Sequence, residues 1–201
     1  MIRLYNFPHG ARGVRVAWVC EEMGLPYETV PVAYPPDDSY RSLNPLGTVP
    51  LLVENDLAIA ESVAIILYLA ETHGPTPLLP SKGDPSYAAV LELTIFAEAT
   101  LGACLNPLLA ARFGAPDEDS RNWSVTNLEA RVDRLLTHVS DRLGANAYLV
   151  GAGLTLADIA VETALRIWQG ALRKTVPDNL AAYRQRLSAL PAYQRAVKAQ
   201  S

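Results

Sequence analysis

Two short groups of residues have the types and spacing to hold a small polar ligand. In "TVPLL" (48–52) a proline heads an apolar run, a place where its missing N–H costs a sheet nothing. Glu61 and Ser62 stand at the mouth of the apolar stretch "SVAIILYLAET" (62–72). A helix starting at Ser62 offers unpaired N–H groups and the positive end of its dipole, which attract a carboxylate. The serine hydroxyl adds a donor, and Glu61 can meet an ammonium. The pair therefore suits a zwitterionic head group. The plainer alternative is Ser62 as a simple N-cap and Glu61 as a first-turn charge.

These groups must be positioned by regular elements, and the chain supplies two kinds. "IRLYNF" (2–7) is rich in strand formers, and "PHGARG" breaks it. Residues 14–23 are apolar on nearly every side, as a helix packed on a sheet would be, and Gly24 closes them. "YETVPVA" (27–33) reads as a strand whose internal Pro31 sends it to a sheet edge. The turn-rich 34–47 reads as irregular. Two short strands then flank Asn55-Asp56, both tolerant of turn conformations. The order β-α-β, then β-β-α, predicts a small thioredoxin-like layer domain over 1–78.

"HGPTPLLPSKGDP" (73–85), with four prolines, marks the boundary. From residue 86 to 201 the chain reads as helix alone. Val90, Leu93, Ala97, Leu101, Cys104 and Leu108 form one stripe, which Gly102 and Pro107 should bend. Val125, Leu128, Val132, Leu135, Val139 and Leu143 form a second, Leu156 to Ala171 a third, and 178–199 splits near Pro191. Thr155 and Asp158 are spaced as an N-cap and its reciprocal partner, with Leu154 and Ile159 as a hydrophobic staple. That motif belongs to folding.

Composition excludes several classes. The 201 residues are 50% hydrophobic and carry a net charge of −4 with both signs scattered, so no basic stripe invites nucleic acid. No secretory leader pattern opens the chain, and no apolar run of the ~18 residues a membrane span needs is expected. Cys20 and Cys104 lie far apart in helical patterns, which does not make a disulfide scaffold. His73 and His138 have no second ligand nearby, so no metal is expected. The reading is a cytoplasmic protein.

"NPLGTVPLL" (44–52), "AESVAIILYLAE" (60–71) and "GLTLADIAV" (153–161), in this order and spacing, resemble the cytosolic glutathione transferases. "LYNFPHGARGVRVAWVCEEMGLPYE" is similar to that family's first βαβ entry. The resemblance covers essentially the whole chain and implies a thioredoxin-like domain (βαβ-ββα) followed by an all-helical one. It also implies a cis Val49–Pro50 bond, the isomer that proline makes affordable at ~0.5–1 kcal/mol. Val49 would then pair through its backbone with glutathione as an added antiparallel strand. Glu61 and Ser62 would take the γ-glutamyl head. Thr48 would stand where relatives carry a longer polar residue for the glycyl end.

The family's reaction needs a thiolate, and a free thiol has a pKa near ~8.5. Relatives place a tyrosine, serine or cysteine after the first strand to lower it. Here Asn6 stands at the tyrosine position, and Ala11 and Gly13 at the serine positions. Tyr5 is one residue off and should face the other way. The remaining candidates are Arg12 and then Asn6, with the backbone N–H groups opening the first helix. Arg12 also reads as a solvated charge or an ion-pair partner, and His9 as a surface residue. By analogy Phe7, Pro8, Leu108, Phe113 and Trp123 would line the electrophile site. The leading expectation is conjugation of glutathione to a small apolar electrophile by a homodimer. A glutathione-dependent peroxidase or disulfide reductase, and a non-catalytic glutathione-binding protein, are the alternatives.

Overall fold

The computed structural model describes residues 1–116, 119 and 121–200. The chain divides into two compact units, Met1–Ser81 with Ser188–Ser201, and Lys82–Leu187. The sequence reading had placed all of 86–201 in one helical domain. The difference is the last helix, which packs within the first unit.

That unit is built on a four-stranded sheet of order β2-β1-β3-β4, from β1 (Ile2–Asn6), β2 (Tyr27–Pro31), β3 (Leu51–Glu54) and β4 (Leu57–Ala60). β1 and β2 are parallel, and β3 is antiparallel to both β1 and β4. Pro31 sits on the edge strand, where no ladder needs its N–H. Asn55 closes the β3–β4 turn with φ +53, a left-handed value that Asn tolerates well. Helices α1 (Ala11–Met23) and α3 (Ser62–Thr72) pack together. The 34–47 stretch, read as irregular, contains the short helix α2 (Asp38–Leu43). Asp37 caps it by accepting from the Tyr40 N–H at 2.9 Å. Tyr40 joins Val32, Leu51 and Val53 in a cluster that also takes Tyr5.

The last helix of the chain, α9 (Pro191–Ala199), lies on α1. Tyr193 meets Trp18 edge to face at 4.9 Å between ring centroids, and Arg195 pairs with Glu21 at 2.6 Å.

The second unit contains α4 (Tyr87–Phe96), α5 (Ala103–Gly114), α6 (Trp123–Leu143), α7 (Leu156–Arg166) and most of α8 (Asp178–Ser188). A π-helical turn over Ala97–Gly102 joins α4 to α5 without a break, and Pro107 lies inside α5. The resulting Tyr87–Gly114 run is long and apolar enough to cross a membrane by length and composition, which corrects the expectation that no such run exists. Its buried side chains, among them Val90, Leu93, Leu101 and Leu105, form core, so its apolarity has a use inside the unit. α7 is buried on every side. Asp158 at its start accepts from the Thr155 N–H and hydroxyl (both 2.9 Å), the Leu149 N–H (2.8 Å) and the Tyr183 hydroxyl (2.8 Å). Burial pushes the Asp158 carboxyl up, and these donors hold it back only in part.

Candidate active site

Sheet register assembles the site. Tyr5 pairs with Leu51, and Leu51 with Ala60. One step beyond these pairs, at the same end of the sheet, lie Asn6, Pro50 and Glu61. Three segments distant in sequence are therefore brought together: the β1–α1 loop, the turn before β3, and the start of α3.

The Val49–Pro50 peptide is cis. Among the described residues, no hydrogen bond uses the backbone N–H or C=O of Val49. The turn itself is held firmly. The Thr48 carbonyl accepts from the Tyr40 hydroxyl at 2.5 Å and from Asn44 Nδ2 at 2.7 Å, while Asn44 Nδ2 also reaches the Thr48 hydroxyl at 3.3 Å. Burial raises the Tyr40 phenol, keeping it a donor. Tyr40 and Asn44 were not singled out from sequence, because both fall in the stretch read as irregular.

At α3, Glu61 is exposed and takes φ +67, ψ 103, a conformation that costs a non-glycine residue of order 1–3 kcal/mol. Its side chain does not cap the helix, so the first-turn N–H groups of α3 have no side-chain partner there. Ser62 is 3% exposed, and its hydroxyl oxygen accepts from Arg15 Nη1 at 2.7 Å. Arg15 is 1% exposed on α1. Sequence reasoning missed it, since its charge interrupts an otherwise apolar helix face. The signal available was that every neighbour from Val14 to Cys20 looked like core.

Asn6 has a different task from the one expected of it. Its two amide hydrogens go to the Gly10 carbonyl (3.1 Å) and Gln200 Oε1 (2.9 Å), while its Oδ1 has no partner among the described residues. Gln200 also donates to Thr29 Oγ1 at 2.8 Å and accepts from the His9 N–H at 2.7 Å. Asn6 presses so closely on α1 that a Cβ on Gly13 would lie 2.0 Å from Asn6 Cγ. Glycine is required there by approach. His9 is exposed, with φ +61. Tyr5 faces away, 6.0 Å from Tyr40 between ring centroids.

Arg12 lies in the first turn of α1, whose N-cap Gly10 offers no side chain and whose first turn has no acid. Phe7 stacks edge-on against Tyr34 at 5.4 Å and, with Pro8, lines a small cleft of about 160 Å³ beside Gln200. In the other unit Leu108 is buried, while Phe113 and Trp123 are 71% and 78% exposed. Cys20 is buried and its thiol is pushed up to about 12, chiefly by burial, which leaves it unreactive. Cys104 is buried as well.

Comparison with known proteins identifies the family. The family model of the glutathione S-transferase N-terminal domain matches residues 4–77, and that of the C-terminal domain residues 108–191. The chain belongs to the glutathione S-transferase family. Glutathione S-transferase 3 of Zea mays is 32% identical over 98% of this chain and 94% of its own length. Among solved structures, a glutathione transferase homolog from Lodderomyces elongisporus, crystallised with two GSH per subunit, superposes with a TM-score of 0.86 at 24% identity, over 98% of this chain and 97% of its own. A theta class glutathione S-transferase from Xanthomonas axonopodis pv. citri, with glutathione bound, gives 0.83 at 25% identity, over 98% and 96%. The glutathione S-transferase fold, a thioredoxin-like unit with a helical one, is thus established for this chain.

Proposed function

We propose that this glutathione S-transferase joins the glutathione thiolate to a small apolar electrophile, acting as a cytoplasmic homodimer. The observation that carries this reading is the shared sheet end. The backbone groups of Val49 without partners and the α3 start without a side-chain cap lie side by side. The cysteinyl unit pairs with Val49 as an added strand, and Thr48 meets the glycyl end. The γ-glutamyl carboxylate sits on the α3 N–H groups and the Ser62 hydroxyl, and its ammonium faces Glu61.

The sulfur is then directed to the opening turn of α1. There the positive dipole end and the Arg12 cation favour the thiolate. Lowering a thiol pKa by ~2 units takes about 2.7 kcal/mol, close to what ~1–2 charge-assisted hydrogen bonds provide. Of the two sulfur partners read from sequence we retain Arg12, because both amide hydrogens of Asn6 are engaged elsewhere. In the reaction the thiol proton leaves to solvent, the thiolate sulfur forms a bond to carbon, and the leaving group departs with its electron pair. Phe7 and Pro8 supply apolar surface for the electrophile.

Calorimetry with glutathione, followed by turnover of a chloronitrobenzene and of a small mixed disulfide side by side, tests this reading. Uptake with turnover of the first substrate alone supports it. Turnover of the disulfide alone replaces conjugation by a reductase role, and no uptake of the tripeptide removes the reading altogether.

A further inference from the structure

The loop that leads into α1 is gripped from outside by one residue, Gln200, the C-cap of α9. Gln200 is buried, and it touches three segments at once. Its carbonyl accepts from the His9 N–H at 2.7 Å, its Oε1 accepts from Asn6 Nδ2 at 2.9 Å, and its Nε2 donates to Thr29 Oγ1 at 2.8 Å. α9 is itself fastened to α1 through Tyr193 on Trp18 and Arg195 on Glu21. The grip therefore has a fixed base.

One acceptor sets the orientation of both amides. The Gly10 carbonyl can only accept, so the Asn6 atom facing it at 3.1 Å is the amide nitrogen. That nitrogen also faces Gln200, which must present its oxygen there and is left with its own nitrogen for Thr29. Asn6 Oδ1 is buried and has no partner among the described residues, so the fold forgoes a hydrogen bond to keep this arrangement. His9, in the same loop, holds φ +61, a value that a non-glycine residue keeps only where its surroundings enforce it. The same Gly10 carbonyl accepts from the Gly13 and Val14 N–H groups that open α1, at 3.1 and 3.2 Å. Strain and an unmet acceptor thus meet where the helix begins, and Gln200 holds both. Such a pairing marks function rather than folding.

We propose that Gln200 is a positioning residue for thiol activation. It holds the loop 7–10 so that the first turn of α1, with Arg12, meets the glutathione sulfur. This role rests on the reading of the site as one that binds glutathione and ionises its thiol. The field of a helix end fades within one turn, so a small shift of the loop weakens the thiolate's support. Val49, Glu61 and Ser62, which hold the rest of the tripeptide, lie outside these contacts. Loss of Gln200 should therefore spare binding and impair ionisation.

The test uses the full chain. Gln200→Leu keeps the main-chain bond to His9 and removes both side-chain bonds, while Thr29→Val removes only one. The ultraviolet absorbance of the bound thiolate, followed against pH, reports the ionisation of the sulfur. In Gln200→Leu that titration should move up by about one pH unit, and chloronitrobenzene turnover at saturating glutathione should fall about tenfold on the acid limb and recover as pH rises. Glutathione affinity by calorimetry at about pH 5.5, where the thiol stays protonated, should change by less than about twofold. Thr29→Val should shift the titration in the same direction by less. An unshifted titration, equal losses of turnover at every pH, or affinity lost with the thiol protonated would each overturn the proposal. A parent that never ionises the bound thiol would remove the glutathione reading and this role with it, whereas an ionising parent beside an unshifted variant would remove the role alone. Circular dichroism confirms that Gln200→Leu is folded, and Thr29→Val carries the same criteria if it is not.

Discussion

Arg15 reaches from α1 to the start of α3 and donates to the Ser62 hydroxyl oxygen at 2.7 Å. Because that oxygen accepts from the guanidinium, the hydroxyl proton is left to donate. The serine proposed to hold the γ-glutamyl carboxylate is thus set as a donor by a residue on another helix. Ser62→Ala should weaken glutathione binding by about 10-fold or more, the worth of a hydrogen bond to a charged group. Arg15→Met should weaken it too, but not further in the Ser62→Ala background. Calorimetry on the two single variants and the double variant gives the coupling. Additive losses would mean that Arg15 does not act through Ser62.

Gly13 is fixed by Asn6. A methyl group there would overlap the amide, with 2.0 Å to Cγ. Gly13→Ala should therefore destabilise the protein by about 1–3 kcal/mol, the usual cost of overpacking. Adding Asn6→Ala should return most of that loss, despite the hydrogen bonds it removes. Urea unfolding of the three variants checks this, and a double variant less stable than Gly13→Ala alone would contradict it.

Asp158 accepts from four donors where it is fully buried. Asp158→Ala would leave those donors stranded, and should cost at least about 2 kcal/mol. Glutathione affinity should be unchanged in protein that remains folded. A variant as stable as the parent would refute the role.

Glu54 gives a pH signature. Burial alone would push its carboxyl up, but hydrogen bonds from His73 and Tyr68, with the His73 charge, outweigh it and hold the carboxyl below the ordinary value of 4.5. His73 Nε2 lies 3.1 Å and the Tyr68 hydroxyl 2.9 Å from Glu54 Oε2. A carboxyl lowered by folding contributes stability that is present above 4.5 and lost as pH falls through its folded value. Glu54→Gln should therefore narrow the difference in unfolding free energy between about pH 6 and about pH 3.5. An acid limb unchanged by the substitution would show that other carboxyls carry it.

Much of this architecture is legible in the sequence, because local chemistry declares it. Pro50 heads a strand, Pro31 demands an edge, Asn55 permits a turn, and Ser62 opens the helix that runs to Thr72. Interactions that join distant segments were not legible. α9 carries an ordinary amphipathic pattern, which says that it packs but not upon what. Arg15 breaks no helical rule, so its burial follows only from the layers around it. Asn6 was read as a donor toward a ligand, because nothing in a strand pattern reveals that Gln200 would claim it. α2 did have a local signal, Asp37 three residues before Tyr40, masked by the prolines that precede it.

Gln200 ties β1, β2 and the loop after β1 to the final helix, and Tyr193 covers Trp18 on the same side. During synthesis those last residues leave the ribosome after every strand has been made. The nascent sheet must wait, with one flank of its first helix bare, while the whole helical unit is translated between them. A transcript cut just after the sheet's own codons would encode a half-finished object, and the loop after β1 would be the part left slack.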